Sequence, residues 1–396
     1  MKRLKHMIRK NLLYFLLCLL FLSISVTTQL NVKASPNTIR VPQDYPTIQE
    51  AINQANPGDT IQVSSGTYYE NIFINKTLTL IGEDKNNTII IGSGRGSTVI
   101  QANLTTVNIS GFTIQNGTNG IWLEKCNSST IQENILVHNS IGIWLHYSNS
   151  NTISDNILSD DWCGIQLCGH SSKNTIIRNT IKDNTEGLGI TGEDNFIIHN
   201  NFINNQNQTN IIESFYNDWN NTYEGNYWSN YNGTDADQDG IGDTPYPIDE
   251  NNQDNHPLMG MYSQFKIQWQ EETYTLTTIC NSTITNFNFG TIYENAISFN
   301  VTGPEDSAGF CRIVIPHALF NGNYTILIDN LPPLMKKELP LSNSTHTYLY
   351  FTYTLTTRQV VIVPEFSTIM ILALFIIVSL SITCLTRKVN SKEKLR

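Results

Sequence analysis

Gly120, Gly142, Gly164 and Gly187 stand 22, 22 and 23 residues apart, and the sequence around them repeats in step. Ile131, Ile153, Ile176 and Ile197 recur at intervals of 22, 23 and 21 residues, as do Asn134, Asn156, Asn179 and Asn200. Leu136, Leu158, Ile181 and Phe202 follow the same intervals. A period in the low twenties with fixed apolar positions marks a solenoid whose repeats stack and bury one continuous core. The repeat is too short and too β-branched for a pair of helices. Gly-Ile-Trp-Leu followed by Asn-Thr-Ile alternates apolar and polar residues, the period-two pattern of strands. Each repeat therefore reads as one coil of a parallel β-helix.

Composition supports that unit. Charged residues make up only 15% of the 396, and the polar load falls on 48 Asn together with Thr and Ser. Asn tolerates tight corners, and its amide can bond to the same amide one coil away. The net charge of −10 excludes nucleic acid as a partner, because phosphates need a basic face.

Both ends read as targeting segments. Lys2, Arg3, Lys5, Arg9 and Lys10 precede an apolar run from Leu12 to Val26, and Ala34 closes a cleavage site, so 1–34 is expected to be a signal peptide. Ile369 to Leu385 is apolar enough to form a transmembrane helix, and Arg387, Lys388, Lys392, Lys394 and Arg396 behind it fix that end inside. The body is then exported and held at the cell surface, anchored in the membrane. Asn-X-Ser/Thr sequons, among them Asn75, Asn103, Asn127, Asn207, Asn281 and Asn343, agree with an exported and glycosylated surface. Pro364-Glu365-Phe366, followed by the span and the basic tail, resembles archaeal sorting signals handled by an archaeosortase-type transpeptidase.

Between the ends, 35–260 reads as the β-helix. A short amphipathic helix at 46–56, with a Thr47/Glu50 capping box, would cover its first coil. The coils run to about Trp228, and the Asn column is expected to begin at Asn134 because Phe112 holds the equivalent place one coil earlier. From 262 to 363 the register is lost, and runs such as Tyr274–Ile279, Ile297–Val301, Arg312–Ile315, Tyr324–Ile328 and Tyr348–Leu355 suggest a small immunoglobulin-like β-sandwich. Cys280 and Cys311 both fall in it and could pair in an oxidising exterior.

Asp235, Asp237, Asp239, Gly240 and Asp243 spell D-x-D-x-D-G-x-x-D. Alternate carboxylates on a tight turn can converge on one hard cation, and Ca²⁺ is the expected cofactor. An EF-hand would need Glu where Tyr246 stands, so the loop looks more like those of dockerin or thrombospondin-type repeats. A Ca²⁺ there would pin the junction of rod and sandwich.

Alternation also assigns an outward face. Trp122 and Trp144 project from adjacent coils, with Gln166 next in their row; Glu124, His146 and Cys168 form the next row, followed by Cys126, Ser148 and His170. Three readings stand: indoles stacking on sugar rings, a soft-metal site of His146, Cys168 and His170 suited to copper, or side chains packed under a loop.

Thr47-Ile-Gln-Glu-Ala-Ile, Gly58-Asp-Thr-Ile, Gly66-Thr-Tyr and Leu80-Ile-Gly-Glu resemble the opening of pectin-lyase-like right-handed β-helices. The Gly-Ile…Asn-Thr-Ile coils, Gly225-Asn-Tyr-Trp and Asp235…Asp243-Thr-Pro-Tyr are similar to the NosD family. That resemblance, covering about 40–260, implies a right-handed parallel β-helix and a link to copper. No copper motif transfers residue by residue. The lyase relatives would need a basic residue beside Ca²⁺, for which Arg178 and Lys182 are the nearby candidates. The role expected is non-catalytic binding of a polysaccharide or glycan, with copper handling and polysaccharide cleavage as alternatives.

Overall fold

The computed structural model describes residues 36–213, 215–290, 296–319 and 322–364. The chain divides into two units after Thr38; the first contributes only Pro36–Thr38 to the described residues, and the second holds everything below. The expected signal peptide, the transmembrane helix, Glu365, Phe366 and the basic tail lie outside the described residues. Among the described residues no helix is long and apolar enough to cross a membrane.

The coils form a right-handed parallel β-solenoid. A full coil carries three short strands, as in Thr130–Gln132, Ile135–Val137 and Ile141–His146. The first kind stacks into an eight-stranded sheet and the other two share a thirteen-stranded one. Register is strict: Ile131 pairs with Ile153 and Ile153 with Ile176, which pairs in turn with Ile197. Leu136, Leu158, Ile181 and Phe202 line up equally. All eight side chains point into one apolar core that runs the length of the rod.

The period is set by contacts between coils. A Cβ on Gly142 would lie 2.6 Å from the carbonyl oxygen of Gly164 in the next coil, and one on Gly120 would lie 2.7 Å from that of Gly142. Only glycine lets the backbones approach so closely.

The corners are built by pairs of residues. Glu133, Asp155, Arg178 and His199 adopt left-handed φ values of 54° to 58°, a conformation that costs an L-residue about 1–2 kcal/mol. Each is followed by a ladder amide, Asn134, Asn156, Asn179 or Asn200, that is completely or almost completely buried. Asn156 shows the pattern. Its N–H donates to Asn179 Oδ1 at 3.1 Å, and its Nδ2 donates to the Ile131 carbonyl at 2.9 Å and to Asn179 Oδ1 at 3.0 Å. The ladder satisfies corner groups that the strands cannot reach. It begins as expected at Asn134, which accepts the Phe112 N–H, and it continues through Asn226 to Asp254. Two further ladders, Asn139–Asp161–Asn184–Asn205 and Asn151–Asn174–Asn195–Asn217–Asn252, follow the same geometry.

Both rod ends are covered. At the start, helix α1 (Ile48–Gln54) packs Ile48, Ala51 and Ile52 on the first coils. Thr47 caps it, and the Glu70 carboxylate accepts the N–H groups of Ile48 and Gln49 at 2.9 Å each. At the other end the rings of Phe202, Trp228 and Tyr246 stack at 4.3 Å per step and close the core.

Residues from Met261 onward form two antiparallel sheets, of five and four strands, over an apolar core of their own. This agrees with the expected sandwich. Cys280 and Cys311, which the sequence leaves free to pair, stand opposite each other across antiparallel strands, and both are free thiols. Cys280 Sγ lies 3.3 Å from the Tyr353 hydroxyl instead.

Rod and sandwich meet around Arg312. This side chain, fully buried, donates to the Glu224 carboxylate at 2.6 Å and to the Asp239 carbonyl at 3.2 Å. Glu224 also holds His199 at 2.8 Å, and the His199 ring lies flat on Tyr262 at 4.1 Å.

Candidate functional site

The outward face of the thirteen-stranded sheet carries side chains in straight rows. Gln101, Trp122, Trp144, Gln166, Gly189 and Asn210 occupy one register position in successive coils. The two indoles stack at 4.9 Å with 16° between their planes, a separation fixed by the strand spacing of the rod. Each ring therefore gives one face to the other. Both side chains are half-buried, and both Nε1 atoms are buried without a hydrogen-bond partner.

Gln166 faces the same way but is buried. Its amide folds over Gly189, where a Cβ would come 2.4 Å from Oε1. Cys163 donates to the same oxygen at 3.5 Å, and burial pushes the Cys163 thiol up to about 12.

The second row joins Asn103, Glu124, His146 and Cys168. His146 Nδ1 lies 2.6 Å from the Glu124 carboxylate, and Lys125 sits 3.6 Å from its other oxygen. The His146 ring leans on Tyr147 at 4.4 Å and on Trp144 at 5.5 Å. Cys168 is half-exposed and stands across from His146.

The third row differs from expectation. Cys126 and Ser148 point inward and are fully buried, because the chain has already turned the corner there. The counterpart of Ser148 is Ser171, whose hydroxyl accepts the Ser148 N–H at 3.0 Å, and not His170. The coil that holds them is one residue longer, and the addition throws His170 outward at a φ of 55° against the edge of Phe215. Among the described residues, the only group of three or more His, Cys, Asp and Glu ligand atoms lying within 4.8 Å of one another is that of Asp235, Asp237 and Asp239. His146, Cys168 and His170 are not brought together in that way.

In the acidic loop, Asp235 accepts the N–H groups of Asp239 and Gly240, both at 2.9 Å, and Asp239 accepts that of Ile241 at 2.8 Å. Burial pushes the Asp235 and Asp239 carboxyls above the ordinary carboxylate range. Asp243 stands outside the cluster and accepts the Ala236 N–H at 2.7 Å. The loop lies against the sandwich, where Lys337 donates to the Asp237 carbonyl at 2.6 Å. Arg178, one candidate base, is clamped by Asp155 through two bonds of 2.9 and 2.8 Å.

Coils, cap and ladders define a parallel β-helix protein with an antiparallel domain appended. Residues 52–233 match the model of NosD, described as periplasmic copper-binding protein, and the coil segment is NosD-like. Over 96 residues the chain is 38% identical to a probable ABC transporter binding protein NosD of Pseudomonas aeruginosa, which covers 24% of this chain and 22% of that protein. Over 188 residues it is 33% identical to a cell surface glycoprotein of Methanothermus fervidus, covering 44% and 31%. The matches thus span less than a third of the length of these relatives. Among solved structures, an alginate lyase from Paenibacillus sp. aligns with a TM-score of 0.35 at 15% identity, over 41% of this chain and 75% of that one.

Proposed function

We propose that this is an exported cell-surface β-helix that binds polysaccharide without cleaving it. The observation that carries the reading is the outward row of Trp122 and Trp144 beside Glu124 and His146 on a rigid sheet. A glycan laid along the rod would meet two indoles, a carboxylate and an imidazole at the regular step of the coils. Similarity to a cell surface glycoprotein supports the location, as do the signal-like start and the apolar span with its basic tail. On this reading the tail anchors the body outside the cell and is the target of the sorting enzyme.

The test is retention of the full chain on immobilised surface polysaccharides. Trp122→Ala with Trp144→Ala should abolish retention, and unchanged retention would overturn the reading. Release of reducing ends or unsaturated uronates would show an enzyme instead.

Copper handling is the second reading, favoured by the family description. The described residues fit it only in part, since His146 and Cys168 are neighbours on adjacent strands while His170 turns away. Copper uptake lost in His146→Ala and Cys168→Ala together would establish it. Asp235, Asp237 and Asp239 are hard oxygen donors and suit Ca²⁺ rather than copper. Added Ca²⁺ should raise the Tm of the full chain, and Asp237→Asn should reduce that gain.

A further inference from the structure

Where the third amide ladder ends, the chain encloses a cavity of about 370 Å³ lined by 216–220, 249–253 and 255. It lies well away from the indole row in sequence and belongs to no site described above. Its floor is firmly built. Asn252 Oδ1 accepts the Asn217 N–H at 2.9 Å and the Trp219 indole N–H at 3.1 Å, while its amide nitrogen donates to Asp249 at 2.9 Å. Asn220 Oδ1 accepts the Asn255 N–H at 2.9 Å, which ties the two walls together.

The rim offers a different surface. Tyr216 stands 59% exposed, and its hydroxyl is held by Asp218 Oδ1 at 2.5 Å. The hydroxyl is thus tied to the cavity wall while most of the side chain stays exposed. Asp218 and Glu250 are exposed carboxylates, and no Lys, Arg or His lines the cavity.

We propose that this cavity is a separate site that binds a short sugar unit carrying no carboxylate. The proposal rests on the polysaccharide reading for its biological meaning, but not for its chemistry. The volume sits at the lower end of small-ligand sites, about 300–1,000 Å³, and so suits one or two sugar rings rather than a long chain segment. Carboxylates and amides match sugar hydroxyls, and an exposed tyrosine ring matches the apolar side of a pyranose. Three acidic side chains with no facing cation repel a uronate.

The test titrates the full chain with cellotriose, mannotriose, the N-acetylglucosamine trimer and trigalacturonate. At least one uncharged trimer should bind and trigalacturonate should not. Tyr216→Ala should weaken that binding about tenfold, and Asp218→Asn with Glu250→Gln should admit trigalacturonate. Trimer binding should be unaltered in Trp122→Ala with Trp144→Ala. No uncharged trimer bound, a preference for trigalacturonate, or equal binding by Tyr216→Ala would each overturn the proposal. Loss of trimer binding with polymer retention intact would sink the cavity alone, and the reverse result would sink the coil face alone.

Discussion

Rod and sandwich bury their backbones by different means. In the rod, the corners of each coil are satisfied by side-chain amides of the next, so buried polarity runs parallel to the axis. In the sandwich, the interior is a mainly apolar cluster that includes Phe299, Phe351, Ile313 and Val360. Its fully buried cation, Arg312, points back at the rod. One region specifies itself by hydrogen bonds repeated in one dimension, the other by apolar surfaces closing on each other. The comparison also shows where they depend on one another, because the charge buried by the sandwich is neutralised by Glu224 of the rod.

The largest effect should come from cutting that link. Arg312→Met leaves Glu224 buried with only His199, and removing one partner of a buried pair costs about 3–5 kcal/mol. Chemical denaturation should then show separate transitions for rod and sandwich; one transition with an unchanged midpoint would refute the dependence. Asn156→Ala should follow at about 2–4 kcal/mol, because it strands the Asn134 N–H and the Ile131 carbonyl. A loss below about 0.5 kcal/mol, the range of an indifferent surface change, would show that the ladder does not hold the coils.

Acid and alkali should act on different parts of the rod. Burial pushes the Asp161 carboxyl up to about 8, and its Oδ2 lacks a partner. A raised folded value means that its contribution is complete in acid and is lost as pH rises towards 8. Burial acts on Glu224 in the same direction but is outweighed by His199 and Arg312, which hold it below the ordinary range. Its contribution is present at neutral pH and disappears as acid protonates it. Asp161→Asn, which restores the amide used elsewhere in that ladder, should stabilise the rod by about 1–3 kcal/mol at pH 8 and flatten the alkaline slope. Equal slopes in the two proteins would contradict the assignment. The smallest effect is chemical: native alkylation followed by mass mapping should label Cys168 ahead of buried Cys126, Cys163, Cys280 and Cys311. Early labelling of Cys163 would contradict its burial.

The coil period, the first ladder and the capping helix were legible because each places one residue type at a fixed interval. The second ladder follows intervals of 22, 23 and 21 as well, but Asp161 interrupts its run of Asn. The third was readable from Asn151, Asn174, Asn195 and Asn217, and only its closing member Asn252, delivered by a distant loop, was hidden. His170 was misplaced because one added residue in a coil shifts everything behind it to a different side of the corner. The cavity was invisible for a related reason: the residues that join its walls are 33 to 37 positions apart and carry no repeat. The meeting of Glu224 with Arg312, 88 residues away, likewise depends on how two separately specified regions dock.

A helix closes the core at one extremity of the rod and an aromatic stack closes it at the other. Extra coils can then be spliced into the middle, between Asn134 and Asn179, without disturbing either closure. Length becomes a quantity that duplication of a single unit can adjust, about 4.8 Å at a time, while everything carried at the tips stays unchanged.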